Sequence, residues 1–259
     1  MLFSVITVTR NNLEGLRRTH ESLRAQSCAD YEWIVIDGAS DDGTAGYLQG
    51  TGAVWLSESD RGIYDAMNKG IDRARGDHLI FMNAGDVFAA PDVLEKLAAH
   101  GDADFIYGDA REGGACKRAR SYKKISYGMF THHQSMMYGR DKIGALRYDT
   151  NYKIAADYKF TVEFLRRAEK IVYTPFPVCV FEQGGVSQKN VRPGRTEQFR
   201  IRRELNVCSL PKNILIYAMQ TFVMACRCAM PSLYWRVRKI CAAANESLCG
   251  HENQQDRHN

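Results

Sequence analysis

The residues able to do chemistry stand where apolar runs stop. In "HLIFMNAGDVF" an apolar run leads into Asn83, Gly85 and Asp86. A carboxylate on a tight turn is a hard oxygen ligand. Mg2+ or Mn2+ is commonly held by one or two such groups while substrate phosphates complete the shell. Gly85 lets the backbone approach a phosphate closely. A turn aspartate ahead of a helix near Pro91 is the plainer account, and this short motif does not separate the two.

A second run, "EWIVIDGASDDGT", ends on Asp37. A strand-end carboxylate can accept hydrogen bonds from a nucleobase N–H or from ribose hydroxyls. Ser40 and Asp41 read as caps of the next helix. Asp37 precedes a glycine and lies too early for a cap, so it is read as ligand-binding. Thr9 and Asn11, in "VTRNN" at the end of the first run, stand at the equivalent place. In "DRGIYDAMNKGIDRARGD", Asp60 has the type and position of an N-cap. Ile63, Met67 and Ile71 have core spacing, and Arg61, Asn68 and Lys69 suit a diphosphate, although Lys69 fits a solvated face equally well.

Further on, "IAADYKF" places Asp157 at a helix start. Its type and position leave it open between a general base and a charge favourable to the helix dipole. In "THHQSMMYG", His132 and His133 on a strand would point to opposite faces and could not share one metal.

Elements must carry these groups. Strand-like and helical runs alternate over the first hundred residues, which predicts an α/β fold with a parallel sheet covered by helices. Ligands of such sheets bind beyond the carboxyl ends of the strands, where Asp37 and Asp86 fall. After Gly108 the alternation fades. A basic, aromatic stretch holds Lys117, Arg118, Arg120, Lys123 and Lys124, and then come an amphipathic helix after Lys153, one or two strands in "IVYTPFPVCVFEQGGVS" and a charged helix after "VRPGR".

Composition narrows the class. The chain of 259 residues is 45% hydrophobic with a formal charge of +5, ordinary for a globular protein and no polycation. The basic residues accompany no nucleic-acid reader motif, so no nucleic-acid partner is expected. Eight cysteines are scattered without a CxxC pair, which favours free thiols in a reducing compartment. The N-terminus reads as a first strand and not a signal peptide. Leu205 to Asn245 contains no acidic residue but holds Lys212, Arg227, Arg236, Arg238 and Lys239. Asn213–Cys226 gives 14 residues without a charge, short of the roughly 20 a spanning helix needs. An interfacial helix on a membrane surface is expected here, and packing on the protein itself is the rival.

Taken together, "VITVTRNNLEGLRRTHESLRAQ", "EWIVIDGASDDGT" and "SESDRGIYDAMNKGIDRARGDHLIFMNAGD" resemble family-2 glycosyltransferases of the GT-A fold, nearest the bacterial exopolysaccharide, colanic-acid-type subgroup. The resemblance covers about residues 3–190. It implies a nucleotide-sugar donor (UDP-sugar favoured, GDP-sugar the alternative), Mn2+ or Mg2+, and inversion at the anomeric carbon. It places Asp37 on the nucleoside, Asp86 on the metal, Asp157 as general base, and His133, Gln134 and Gly185 along the site. Asn83 stands where an aspartate is usual, which puts metal affinity in question. Thr9, Asn11, Asp60, Arg61, Asn68, Asn83 and Gly85 join Asp37 as donor-side candidates.

The implied organisation is a nucleotide-sugar-binding half over 1–108, an acceptor-binding and catalytic half over 109–190, a helical C-terminal extension over 191–245 and a disordered tail over 246–259. The implied setting is the inner face of the cell membrane with a lipid-linked glycan acceptor. Two rivals stand beside this reading. One is a non-catalytic nucleotide- or sugar-binding subunit, favoured by Asn83. The other is a sugar-phosphate nucleotidyltransferase, disfavoured because no Gly-rich basic loop follows the first strand.

Overall fold

The structure is a computed structural model that describes residues 2–182 and 190–229. Gly185 lies outside the described residues, as do Arg236, Arg238, Lys239 and the predicted tail.

Among the described residues, nine strands form one sheet: β1 (Phe3–Thr9), β2 (Tyr31–Asp37), β3 (Val54–Ser57), β4 (His78–Phe81), β5 (Val87–Phe88), β6 (Phe105–Glu112), β7 (Ala115–Lys117), β8 (Met136–Gly139) and β9 (Ile171–Phe181). Their order is β3-β2-β1-β4-β8-β6-β9-β5, with β7 paired to β6. The first four are mutually parallel. β8 runs antiparallel to both β4 and β6, so the sheet is mixed in its second half.

The helices are α1 (Leu13–Arg24), α2 (Thr44–Leu48), α3 (Ile63–Ile71), α4 (Val93–Ala98), α5 (Arg140–Ile143), α6 (Ala156–Leu165), α7 (Val191–Glu204) and α8 (Leu210–Ala229). The predicted charged helix starts earlier than expected, because Val191–Arg195 is already its first turn. Pro193 is tolerated there, where its missing N–H has no intrahelical partner.

Strands covered on both faces have no solvent-facing side, which explains why all of β1 and the last five residues of β2 are buried. Side-chain alternation still sorts the faces. Ile6, Val8, Ile34 and Ile36 pack with Met67 of α3 and Phe160 of α6. Phe3, Val5 and Val35 pack with Leu16 of α1 and Leu94 of α4. Gly70 permits the close approach of α3, since a Cβ there would lie 2.5 Å from Ile6 Cγ2. Met67 and Ile71 are core as expected, whereas Ile63 is exposed.

Candidate active site

Two polar clusters lie at the carboxyl ends of the parallel strands. The first surrounds β1 and β2. Asp37 is fully buried, and its carboxylate accepts from Ser40 N, Ser40 Oγ and Ser57 Oγ. Asn11 has a left-handed backbone (φ 49°), and its side-chain oxygen accepts from Asp41 N. Thr9, in register with Asp37, has a buried hydroxyl without a hydrogen-bond partner among the described residues. Asp60 is not the N-cap of α3; Gly62 holds that position, and Asp60 Oδ1 accepts from Gly62 N at 2.8 Å. Its other oxygen lies over Gly38. Thr9, Asn11, Asp37 and Asp60 are thus neighbours. Arg61 points outward to Asp65 with its side chain 80% exposed. Asn68 is committed elsewhere, since its amide donates to Tyr148 O and its oxygen accepts from Tyr148 N.

The second cluster begins at the end of β4. Asp86 N closes a tight turn onto Asn83 O, and Gly85 takes φ 106°. That φ favours glycine, and a Cβ there would collide with the Glu182 carboxylate. Asp86 is 4% exposed. Its oxygens accept from Gln134 Nε2 at 2.6 Å and Glu182 N at 2.9 Å. Burial outweighs those bonds and raises its pKa to about 6.

His133 and Gln134 occupy a short 3-10 turn and not a strand, so the opposite-faces expectation for His132 and His133 does not apply. His132 stacks on Phe181 and lies 3.5 Å from Glu112. His133 Nε2 lies 3.3 Å from Asn83 Nδ2, and its Nδ1 lies 3.8 Å from Asp157 Oδ2. An Asn83 N–H donated to Nε2 selects the tautomer whose ring proton is on Nδ1, the nitrogen nearer Asp157. Burial pushes the imidazole down to about 3, so it is uncharged near neutral pH.

Asp157 sits in the first turn of α6. Its Oδ1 accepts from Tyr158 N at 2.8 Å, and the Tyr64 hydroxyl lies 3.4 Å away. Burial again dominates and lifts this carboxyl to about 6. Asn83, Asp86, His133, Gln134 and Asp157 line one cavity of about 830 Å3. The strand-end cluster around Asp37 is not part of that lining.

Sequence reasoning missed several wall residues. Tyr64 was hidden by its place in a core-spaced helix, beside Ile63, which the sequence also assigned to the core. Lys153 and Arg195 also line the cavity. Lys117, Arg118 and Arg120 of the basic stretch do so as well, whereas Lys123 and Lys124 do not.

Among the described residues no three His, Cys, Asp or Glu side chains cluster as metal ligands. Asn83 Oδ1 and Gln134 Oε1 are nevertheless buried without hydrogen-bond partners. With the Asp86 carboxylate they are oxygen donors on residues that line the same cavity. Such a set fits Mg2+ or Mn2+ whose shell is completed by phosphate and water. Among the described residues no helix is long and apolar enough to cross a membrane.

Comparison with known proteins gives a consistent result. The chain is 37% identical over 201 residues to an uncharacterized glycosyltransferase of Mycobacterium tuberculosis, covering 71% of this chain and 76% of that one. It is 32% identical over 179 residues to a PGL/p-HBAD biosynthesis glycosyltransferase of Mycobacterium bovis, covering 62% and 68%. In fold it is similar to S. aureus TarS 1-349 in complex with UDP-GlcNAc (TM-score 0.67, 18% identity, 85% of this chain and 72% of that one). It is also similar to the mannosyltransferase PcManGT of Pyrobaculum calidifontis in complex with GDP-Man and Mn2+ (TM-score 0.62, 16% identity, 93% and 79%). The description Glycosyl transferase family 2 matches residues 4–157, more than half of the chain. The protein belongs to that family and is a glycosyltransferase with a GT-A fold.

Proposed function

We propose that the protein transfers a sugar, with inversion, from a nucleotide-sugar donor to a lipid-linked glycan acceptor in cell-surface polysaccharide synthesis. A UDP-sugar is the favoured donor and a GDP-sugar the alternative. One observation carries the reading: Asp86 and Asp157, far apart in sequence, line the same cavity with a neutral imidazole beside Asp157. This divides the labour that inverting transfer requires.

Asp157 takes the proton from the acceptor hydroxyl as that oxygen attacks the anomeric carbon. Its raised pKa makes it a stronger base than an ordinary carboxylate while leaving it ionised above about pH 6. His133 Nδ1–H faces Asp157 and helps to orient it. Thr9, Asn11, Asp37 and Asp60 hold the nucleoside, with Gly85 beside the diphosphate and Arg61 at its exposed edge. Asp86, with Asn83 Oδ1 and Gln134 Oε1, would hold Mn2+ or Mg2+. A cation held there supplies charge neutralisation for the leaving diphosphate.

The setting is peripheral, at the inner face of the cell membrane. On α8, Leu215 and Phe222 are each 69% exposed, and Ile214 and Met219 are about half exposed. An apolar face of this kind beside basic residues suits a lipid surface.

The test is thermal unfolding against UDP, GDP, dTDP and CMP, each with and without Mn2+. A ligand at 100 times its dissociation constant adds roughly 2.7 kcal/mol of stability. Stabilisation by one diphosphate, dependent on metal and lost in Asp86→Ala, is the expected outcome. No shift with any nucleotide would overturn the donor assignment.

A further inference from the structure

The turn that precedes Asp157 is gripped from two sides. α6 has no side-chain N-cap of its own, because the cap position is Ala155. The three amides that lead into the helix, from Lys153 to the cap residue Ala155, are collected by Glu197 of α7. Glu197 Oε1 accepts from Lys153 N at 2.9 Å, and Oε2 accepts from Ile154 N at 2.9 Å and Ala155 N at 2.8 Å. From the opposite side, the Tyr64 hydroxyl donates to Ile154 O at 2.8 Å. That same hydroxyl is the one lying 3.4 Å from Asp157.

α7 can reach these amides because Gly194, one turn earlier, lies against Ile154; a Cβ there would stand 3.0 Å from Ile154 Cγ2. A second attachment fixes the helix. Lys159 of α6 bridges Asp149 and Glu204 of α7, with 2.7 Å to Asp149. A carboxylate that collects three successive backbone amides is a strong and directional anchor, since charge-assisted bonds are shorter and stronger than neutral ones. α7 lies beyond residues 4–157 that define the family match.

We propose that Glu197 is a positioning residue, through which the C-terminal helix α7 holds the Lys153–Ala155 turn and so sets Asp157 in the cavity. The inference rests on Asp157 being the base. It gives the C-terminal helices a part in the reaction in addition to any role at a surface, and α7 itself supplies cavity wall at Arg195 and Gln198.

The experiment uses the full chain as wild type, Glu197→Ala and Glu197→Gln. Amide exchange at Lys153, Ile154 and Ala155 and the titration of the Asp157 carboxyl carbon are followed by NMR. His133, Tyr64, Tyr138 and Tyr148 also face or act on Asp157 and are unchanged in these variants.

In Glu197→Ala, exchange at the three amides is expected to quicken by at least about 10-fold while β1 and β2 keep their protection. Glu197→Gln, which keeps one acceptor oxygen, should lie between. The Asp157 midpoint near 6, set mainly by burial and raised further by the Glu197 charge, should fall in both variants. In a transfer assay kcat should drop about 10- to 100-fold, the cost of a displaced catalytic group, with the donor KM unchanged.

Unchanged exchange at the turn together with an unchanged Asp157 midpoint would overturn the proposal. Should Glu197→Ala not fold, Glu197→Gln carries the same test. If exchange and midpoint move but neither wild type nor variant transfers sugar from any donor, the link to Asp157 stands and the assigned reaction falls.

Discussion

The strand-end cluster around Asp37 and the cavity around Asp86 and Asp157 both bury carboxylates, and they do so in opposite ways. Asp37 is enclosed by Ser40 and Ser57, which supply two hydroxyls and an amide. It is a fixture, held in one orientation at the end of β2. Asp86 and Asp157 receive fewer donors than their burial demands, and both carboxyls rise to about 6. Beside them stand Asn83 Oδ1 and Gln134 Oε1 without partners. A carboxylate whose donors match its burial stays ionised and fixed, whereas one short of donors is poised to take a proton.

The largest expected effect breaks the reactive side alone. Asp157→Asn should lower kcat about 10^2- to 10^4-fold, the usual worth of a general base, with nucleotide binding intact. Equal loss of donor affinity, measured by calorimetry, would move Asp157 from the reactive cluster to the recognition cluster.

The next effect is on stability and has the opposite sign to the effect on activity. Because the native pKa of Asp157 is above its ordinary value, the folded state keeps a proton that the unfolded chain releases between about pH 4 and 6. This contribution favours folding at pH 4 and is lost as pH rises towards 6. A shift of about two units corresponds to about 3 kcal/mol at most. Carboxyls held low, such as Glu112 at about 2 through its bond to His132, act the other way. The difference between wild type and Asp157→Asn isolates the term. In urea unfolding the variant should gain stability over wild type between pH 4.5 and 7.5, while wild-type transfer rises through pH 6.

These contrasts also mark what the sequence could reveal. Runs rich in apolar and β-branched residues identified β1, β2 and β4, because strands covered on both faces need no strict polar alternation, and Asp37 and Asp86 stood out where those runs end. The direction of β8 was not legible, since a four-residue run carries no signal of orientation. Asn68 was read as a phosphate contact from its type and helical phase, yet it latches the backbone of Tyr148, 80 residues away. Glu197 was invisible for the same reason. Its partners are backbone amides, which leave no residue pattern. Sequence marks side chains that face open space more readily than those that satisfy a distant main chain.

Asn68 supplies the third prediction. Asn68→Ala leaves a part-buried N–H and C=O of Tyr148 without their partners, at a cost of about 2 kcal/mol. Donor affinity should not change. A variant with normal melting temperature but weakened UDP or GDP binding would return Asn68 to the diphosphate.

The smallest effect sharpens the boundary of the recognition cluster. Arg61 pairs with Asp65 at 3.1 Å on α3, with the guanidinium largely in solvent. Exposed pairs of this kind contribute roughly 0–1 kcal/mol, so Arg61→Ala should leave the melting temperature within about 2 °C. If Arg61 reaches the donor diphosphate, the KM for the donor should rise in that same variant, and more at low than at high salt, because an exposed charge is screened by ions. A KM that does not move would end the recognition cluster at Asp60. The nucleoside side would then carry no cationic group, with Thr9 and Asp37 buried and Asn11 and Asp60 at its more open edge, and the cationic help for the leaving group would come from the cavity around Asp86.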